Sequence, residues 1–517
     1  MNTVSKAKST LPEVVVMPSR FRNPIGKYIV KRNSRCAGCG LCAELCSYGV
    51  HIKPEGYSRP LPPRSERCIG TACEANAFYC VRHCPNQALS VSLNPILETM
   101  GDYRWTPEML IGQWYMAETG ELPETDLEYN LGSSGGGFDK IRFKIPDPAD
   151  YLDISDEKID TSLSLNRRSD GRPEKVLSLP CYGGGMSFGS TALPVIVGRA
   201  RAARRLNTLT CTGEGGYPPE FLPYAEYVIT QVATGLFGVR EETIQHAPVV
   251  EFKYAQGAKP GLGGHLLGDK VTPEVAAMRE TVVGSSLFSP FPFHSVYSVE
   301  DHKKHVDWIK EVNPRALISV KVSTPSDVDM VAVGSYYAGA HIIHFDGSYG
   351  GTGAAPDIAK KNIAMPIEYA ISRVHCFLKE EGVRGQVCLM ASGGIRNAMD
   401  AAKAIALGAD GVVIGTADLV ALECIRCGKC ESGRGCARGI ASTDPELGHM
   451  ITEEYAEQRI VNMYLAWRKQ WCQLLRQYGL RSVKELVGRS DLLVNMDYLD
   501  EAERAKYPEA PKNKLVI

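Results

Sequence analysis

From residue 176 onward, short apolar runs alternate with longer amphipathic stretches, and each run ends in glycine or polar residues. The runs are VLSLP (176–180), TLTC (208–211), VITQVA (228–233) and VVEFKY (249–254), then LISVKV (317–322), HIIHFDG (341–347), VCLMASGG (387–394) and GVVIGT (411–416). Strands that read as continuous apolar runs bury both faces, and helices between them supply parallel crossovers. Eight such units within about 250 residues predict an α/β chain built on a (β/α)8 TIM barrel over 173–440, with its chemistry at the C-terminal ends of the strands. An open doubly wound sheet is the alternative. The sequence holds neither GxGxxG nor a GxxxxGK loop, so neither dinucleotide nor P-loop chemistry is signalled.

The rest of the chain divides around this barrel. Residues 1–25 read as an N-terminal extension and 26–95 as a small α+β module. Residues 96–172 read as a connecting segment laid over the barrel, with an acidic stretch (TGELPETDLEYN), a flexible GSSGGG at 132–137 and a strand-like KIRFKIPD. Residues 441–517 predict a helical extension whose Trp467, Trp471 and Leu475 pack on the barrel.

Composition narrows the class. Hydrophobic residues make up 44% and charged residues 23% of 517, which is globular usage, and the net charge of −1 does not favour nucleic acid or an anionic membrane as partner. No apolar run approaches the length of a spanning helix, and the start MNTVSKAKSTLPEVVVMPSRF lacks the apolar centre of a secretory signal. A cytoplasmic location is expected, so the 17 cysteines are ligands or thiols before they are disulfides.

Twelve of the cysteines lie in two zones. Cys36-x2-Cys39-x2-Cys42-x3-Cys46 is the bacterial ferredoxin run, and Cys68-x4-Cys73-x6-Cys80-x3-Cys84-Pro85 follows with wider gaps. Crossed ligation predicts one 4Fe–4S cluster on Cys36, Cys39, Cys42 and Cys84, and a second on Cys46, Cys68, Cys73 and Cys80. Zinc knuckles are the alternative, but zinc sites pair two CxxC knuckles rather than stringing three thiols at x2 spacing. Residues 30–90 carry eight Lys/Arg against four Asp/Glu, and Arg35, Arg67 and Arg82 would offset anionic clusters. After the last barrel run, Cys424-x2-Cys427-x2-Cys430-x5-Cys436 predicts a third cluster. Cys181, Cys211, Cys376, Cys388 and Cys472 are isolated and expected to be buried structural thiols.

The loops after the seventh and eighth runs, Ser392-Gly393-Gly394-Ile395 and Gly415-Thr416, fall where such barrels bind phosphate on backbone amides. Beside clusters that deliver single electrons, that phosphate points to FMN. Lys321, inside an apolar strand, is costly without an anion and is expected to face reduced flavin or a substrate carboxylate.

The segments GGGMSFGS, CTGEGG, QVATGLFGV, AQGAKPGLGGHL, VKVS, DGSYGGTGAAP, ASGGIRNAMDAAKAIALGADGVVIGTA and LVGRSDLL resemble the FMN-binding domain of glutamate synthases. With ferredoxin runs in front, the chain resembles the short archaeal type of large subunit over residues 26–500. The resemblance implies reduction of 2-iminoglutarate, formed from 2-oxoglutarate and ammonia, to L-glutamate. It implies that Met186, Ser187 and Gly189 flank the flavin. Glu214, Gln256 and Lys321 would line the flavin and substrate pocket, and Gly393, Gly394, Gly415 and Thr416 would hold the phosphate. Cys424, Cys430 and Cys436 would ligate a cluster that the family carries as 3Fe–4S. Here Cys427 is an additional thiol and the last gap is x5, so spacing alone also allows 4Fe–4S.

Met1-Asn2-Thr3-Val4 and the absence of a GxCxG turn leave no glutaminase nucleophile, so ammonia is expected from free ammonium or a separate glutaminase subunit. A β-helix subunit, an electron-donor protein or pyridine-nucleotide-oxidising subunit, and oligomer formation are also implied. Two other readings compete. A methylamine-glutamate N-methyltransferase type of enzyme has no net redox change and so no use for ferredoxin clusters. A pure electron-transfer subunit has no use for the substrate-side residues Glu214, Gln256 and Lys321.

Overall fold

The computed structural model describes residues 11–21, 24–70, 72–73, 79–123, 137–291, 293–431 and 434–507. Eight parallel strands form one sheet: β1 (Cys181–Gly183), β2 (Thr210–Cys211), β3 (Val228–Ala233), β4 (Val249–Lys253), β5 (Leu317–Ser323), β6 (Ile342–Asp346), β7 (Cys388–Ser392) and β8 (Gly411–Ile414). Their spatial order is β1–β8–β7–β6–β5–β4–β3–β2, and a parallel bridge between Gly185 and Cys211 closes the ring. The chain therefore forms the expected TIM barrel. Strands β3, β4, β6, β7 and β8 are buried along their whole length, which is why they read as continuous apolar runs.

One predicted strand is corrected. VLSLP does not enter the barrel; Val176–Leu177 pairs antiparallel with Leu163–Ser164. Leu163, Leu165 and Leu177 pack with Tyr182, Ile229, Val249, Leu317 and Met390. That antiparallel pair thus plugs the N-terminal end of the barrel, and the first barrel strand is the short CYG that follows.

Helix α1 (Pro107–Thr119) precedes the barrel, and the crossover helices include α2 (Leu193–Arg205), α3 (Val299–Val312), α4 (Val328–Ala338), α5 (Ile367–Glu380), α6 (Ala398–Leu407) and α7 (Thr416–Ala421). Helix α6 shows how the sequence sets their ends. The Asn397 side chain accepts from Asp400 N at 2.9 Å, and Gly408 ends the helix at φ 125°.

The connecting segment holds a helix that the sequence reading did not include, Pro107–Thr119. It is capped by Thr106 and by left-handed Gly120, and most of its residues are buried. It packs against the helix Glu453–Gln477, in which Trp467, Trp471 and Leu475 are buried as expected. Trp467 Nε1 donates to Gln113 Oε1 at 3.1 Å and Trp471 Nε1 to the Ala398 carbonyl at 2.7 Å. KIRFKIPD contributes the strand Ile141–Phe143, paired with Leu493–Asn495. The acidic stretch and GSSGGG lie mostly outside the described residues.

Near the N-terminus, Tyr28–Arg32 pairs antiparallel with Leu89–Leu93, and the two enclose the cysteine-bearing loops. Residues 14–21 run back along the barrel. The Ser19 hydroxyl and Arg20 bind Glu423, and Arg459 donates to the carbonyls of Met17, Trp114 and Ala421. Among the described residues, no helix is long and apolar enough to cross a membrane.

Candidate functional site

A cavity opens at the C-terminal ends of the strands, and most of the residues expected to act there line it. Met186, Ser187, Glu214, Gln256, Lys321, Gly393, Gly394, Gly415 and Thr416 face it. Gly189 does not. It turns its loop at φ 101°, and a Cβ there would sit 3.0 Å from Leu266.

One wall is a cradle of backbone. Gly393 and Gly394 adopt φ 86° and 124°, and a Cβ on Gly393 would lie 2.4 Å from the Gly347 backbone. A Cβ on Gly351 would lie 1.8 Å from Thr416 Oγ1. Beside the cradle lies Arg104, which the sequence reading missed because it comes from the connecting segment. It stacks on Tyr349 at 3.8 Å, is 6% exposed, and among the described residues has no acceptor for its Nε and Nη2 atoms. Burial and neighbouring Arg396 lower its pKa. Of the carboxylates nearby, Asp139 and Asp400 are taken by Arg396 at 2.7 Å each, and buried Glu368 interacts with Arg104 without a direct hydrogen bond. A buried guanidinium with unmet donors beside glycine amides fits a phosphate, so these residues fit FMN.

The cavity floor carries charge. Lys321 Nζ lies 3.6 Å from Asp346 Oδ2, and Asp346 Oδ2 also accepts from Gly257 N at 3.0 Å. Burial alone would lower the Lys321 pKa, but Asp346 and Glu251 outweigh it and raise it. Further cations line the cavity that the motif reading passed over, among them Lys253, Lys259 and Arg279. Lys253 is the register partner of Lys321 on the adjacent strand and pairs with Glu214 at 3.0 Å. Lys259 Nζ lies 3.2 Å from His265 Nδ1, and burial with Lys253 alongside brings its pKa down to about 8. Arg279 Nη2 donates to Ser187 Oγ at 2.9 Å and to the Phe188 carbonyl at 2.8 Å. Burial lowers it to about 10. The same argument that singled out Lys321, a cation closing an apolar strand, applies to Lys253.

Cys424 and Cys430 line the same cavity. Burial pushes Cys424 up to about 12, with Cys430 and Cys436 adding to the shift, while Cys427 is exposed. Cys424, Cys430 and Cys436 are thus half-buried and adjacent, and Cys427 is the exposed thiol of the loop. The loop is held from two sides. Arg426 pairs with Asp102 at 2.6 Å and donates to the Gly351 carbonyl at 2.7 Å, and Lys270 donates to the Cys430 carbonyl at 2.8 Å.

In the N-terminal module, Cys36, Cys39, Cys42 and Cys84 line one small cavity, with Arg32 and Pro60 beside them. Burial pushes Cys80 up to about 12, reinforced by Cys68, Cys46 and Cys73 around it. The thiols thus gather in two neighbouring groups, one around the small cavity and one around Cys80, with Cys42 close to both. Backbone amides point at the sulfurs, Gly70 N to Cys68 Sγ at 3.4 Å and Ala88 N to Cys84 Sγ at 3.2 Å. Such donors, and thiols that burial holds protonated without a cation, suit iron–sulfur ligation. Among the described residues, no three His, Cys, Asp or Glu are arranged to hold a single metal ion. Of the isolated thiols, Cys181, Cys211, Cys388 and Cys472 are buried, but Cys376 is exposed. Buried positions on α5 are 367, 368, 370, 371, 374 and 378, and Cys376 falls on the opposite face.

Comparison with known proteins adds a family. Residues 141–481 match the profile of a conserved region in glutamate synthase. The archaeal-type glutamate synthase (NADPH) of Thermotoga maritima is 35% identical over 487 residues, covering 90% of this chain and 94% of that one. The archaeal glutamate synthase (NADPH) of Archaeoglobus fulgidus is 34% identical over 501 residues, covering 90% and 93%. Among solved structures, a flavocytochrome b2 mutant with pyruvate bound aligns over 72% of this chain and 82% of its own, at 14% identity and a TM-score of 0.43. By profile and by identity across nearly its whole length, the chain belongs to the glutamate synthase family, oxidoreductases acting on the CH–NH2 group of donors.

Proposed function

We propose that this chain is the synthase subunit of a glutamate synthase. In this reading 2-oxoglutarate and ammonia condense with loss of water to 2-iminoglutarate, which takes up two electrons and two protons to give L-glutamate. The observation that carries the reading is one cavity in which a phosphate-shaped glycine cradle, a cluster of cations including Lys253, Lys259, Arg279 and Lys321, and the thiols of Cys424 and Cys430 meet. FMN, when bound, would accept single electrons from iron–sulfur clusters and return them in pairs to the imine carbon.

The chain's own residues do the rest. Gly393, Gly394, Gly415, Thr416 and Arg104 would hold the phosphate end. Met186 and Ser187 would border the ring, with Gln256 beside them. A dicarboxylate substrate needs two cationic contacts, and Lys253, Lys259 and Arg279 supply a cluster that is not consumed by ion pairs, apart from Lys253 with Glu214. Glu214 would accept hydrogen bonds from the nitrogen as ammonia becomes amine. Lys321 would offset negative charge at the cavity floor. Cys36, Cys39, Cys42 and Cys84, and Cys46, Cys68, Cys73 and Cys80, would ligate the two entrance 4Fe–4S clusters. Cys424, Cys430 and Cys436 would hold a third of the 3Fe–4S type, as the family resemblance implies, with Cys427 an additional, exposed thiol beside them.

Ammonia would come from free ammonium or a separate glutaminase subunit, and electrons from a donor protein or a pyridine-nucleotide-oxidising subunit. The test is direct. The purified chain, reconstituted with iron, sulfide and FMN and reduced chemically, should form glutamate from 2-oxoglutarate and ammonium. Flavin that reoxidises with other acceptors while no glutamate appears would defeat the proposal. N-methylglutamate formed from methylamine and glutamate without added reductant would favour the transferase reading instead.

A further inference from the structure

The barrel interior holds a set of charged groups that neither the motif reading nor the substrate cations account for. Glu251, on β4, is 2% exposed. Its carboxylate accepts from Gln231 Nε2 at 2.7 Å and Ser319 Oγ at 3.0 Å, and it lies 3.1 Å from His344 Nδ1. The other ring nitrogen, His344 Nε2, is 2.7 Å from Ser392 Oγ. Ser392 Oγ is in turn 2.7 Å from Asp346 Oδ1, and Asp346 Oδ2 faces Lys321. Glu251, His344, Ser392, Asp346 and Lys321 therefore form one continuous line from the barrel core to the cavity floor.

Counting protons along this line fixes its charge. Contacts other than His344 favour the ionised form of both carboxylates: Glu251 accepts from Gln231 Nε2 and Ser319 Oγ, and Asp346 accepts from the Gly257 amide and faces Lys321 Nζ at 3.6 Å. Ionised carboxylates only accept. Ser392 has a single proton, and at 2.7 Å from Asp346 it must donate it there. His344 Nε2 must then donate to Ser392, and Nδ1 must donate to Glu251. Both ring nitrogens therefore carry hydrogen.

We propose that His344 carries hydrogen on both ring nitrogens in a buried line of alternating charge, Glu251 negative, His344 positive, Asp346 negative and Lys321 positive. The line keeps Lys321 cationic and, through the Gly257 amide, holds the Gln256 loop at the cavity floor. His344, Ser392 and Asp346 are thus positioning residues, a role that rests on the glutamate synthase reading, whereas the charge state of His344 does not. The groups facing Lys321 are Asp346 and His344 on β6, Glu251 and Lys253 on β4, Cys211 on β2 and Glu214 in the following loop. Of these, Asp346 is the first-ranked support for its charge.

The experiment is nitrogen NMR on the full chain labelled at histidine, in which His344→Gln identifies the resonance among 11 histidines. Wild-type His344 should show two protonated ring nitrogens, as the line of hydrogen bonds through Glu251, Ser392 and Asp346 requires. Glu251→Gln and Asp346→Asn each replace an obligatory acceptor by a group of the same shape that can donate. Either should convert the ring to a neutral form with one bare nitrogen. A bare nitrogen in the wild type would overturn the proposal even if neither variant folds.

The positioning role is read separately, from glutamate formation at saturating ammonium. Asp346→Asn should bring loss of activity on the basic side down by roughly one pH unit or more relative to wild type. A rate lowered evenly at all pH values would refute the positioning role. Failure of any glutamate formation would defeat the functional reading and leave the NMR result standing.

Discussion

Arg104 offers the sharpest test of where the flavin phosphate sits. The side chain reaches the cradle from outside the barrel, with Nε and Nη2 unmet among the described residues and Asp139 and Asp400 already claimed by Arg396. A hydrogen bond to a charged group contributes about 1.5–3 kcal/mol, so removing it should weaken phosphate binding by about 10- to 150-fold. Arg104→Gln keeps much of the side-chain length while removing the charge. The assay is fluorescence quenching of FMN and of riboflavin by the flavin-free chain, titrated in parallel. Any damage from losing the stack on Tyr349 falls on both ligands, so the ratio of the two affinities isolates the phosphate contribution. FMN should weaken by the full factor and riboflavin by less than about twofold. Arg104→Lys should recover part of the difference, since it restores charge without the planar fork. Equal losses for FMN and riboflavin would refute the assignment and make Arg104 a structural residue.

Three further outcomes are expected. Cys427→Ser should leave iron content and the cluster's electron paramagnetic resonance signal unchanged, whereas Cys430→Ser should abolish the third cluster; a loss of signal in both would mean that four thiols bind it. Lys259, held near 8, is protonated below that pH and neutral above it. The kcat/KM for 2-oxoglutarate should therefore fall as pH rises through about 8, and Lys259→Gln should lower it at neutral pH and flatten that fall. Trp467→Ala should cost about 3–5 kcal/mol in chemical unfolding, because it empties a fully buried site and orphans Gln113 Oε1.

How far the sequence was readable depended on which physical rule each residue obeyed. Strands buried on both faces announce themselves as apolar runs, so β3 to β8 were recovered nearly to their ends. β1 was misplaced because CYG is too short to stand out, whereas VLSLP beside it has strand composition and is used in a different sheet. The helix Pro107–Thr119 escaped because it is buried nearly all round, leaving no polar stripe to mark its period. Cysteine spacing carried the ligand groupings, since thiols must approach one another whatever the loops do. The cations were another matter. Lys253 obeyed the rule used for Lys321, but Lys259, Arg279 and Arg104 sit in loops and helices where basic residues are ordinary. Only three-dimensional convergence distinguishes them. His344 was hidden for the opposite reason, because HIIHFDG reads as a strand whether or not its histidine is charged.

The strap of residues 14–21 has a consequence for how the gene can be cut. Glu423 immediately precedes Cys424 and depends on Ser19 and Arg20 for part of its satisfaction, while buried Arg459 spends a donor on Met17. Deleting the first two dozen codons would remove none of the barrel and none of the cysteines. It would nonetheless strip partners from a buried carboxylate and a buried guanidinium beside the third thiol loop, some four hundred residues downstream. An affinity tag fused in place of this leader, or a natural variant with a shortened start, would show its defect as iron lost from the far end of the polypeptide.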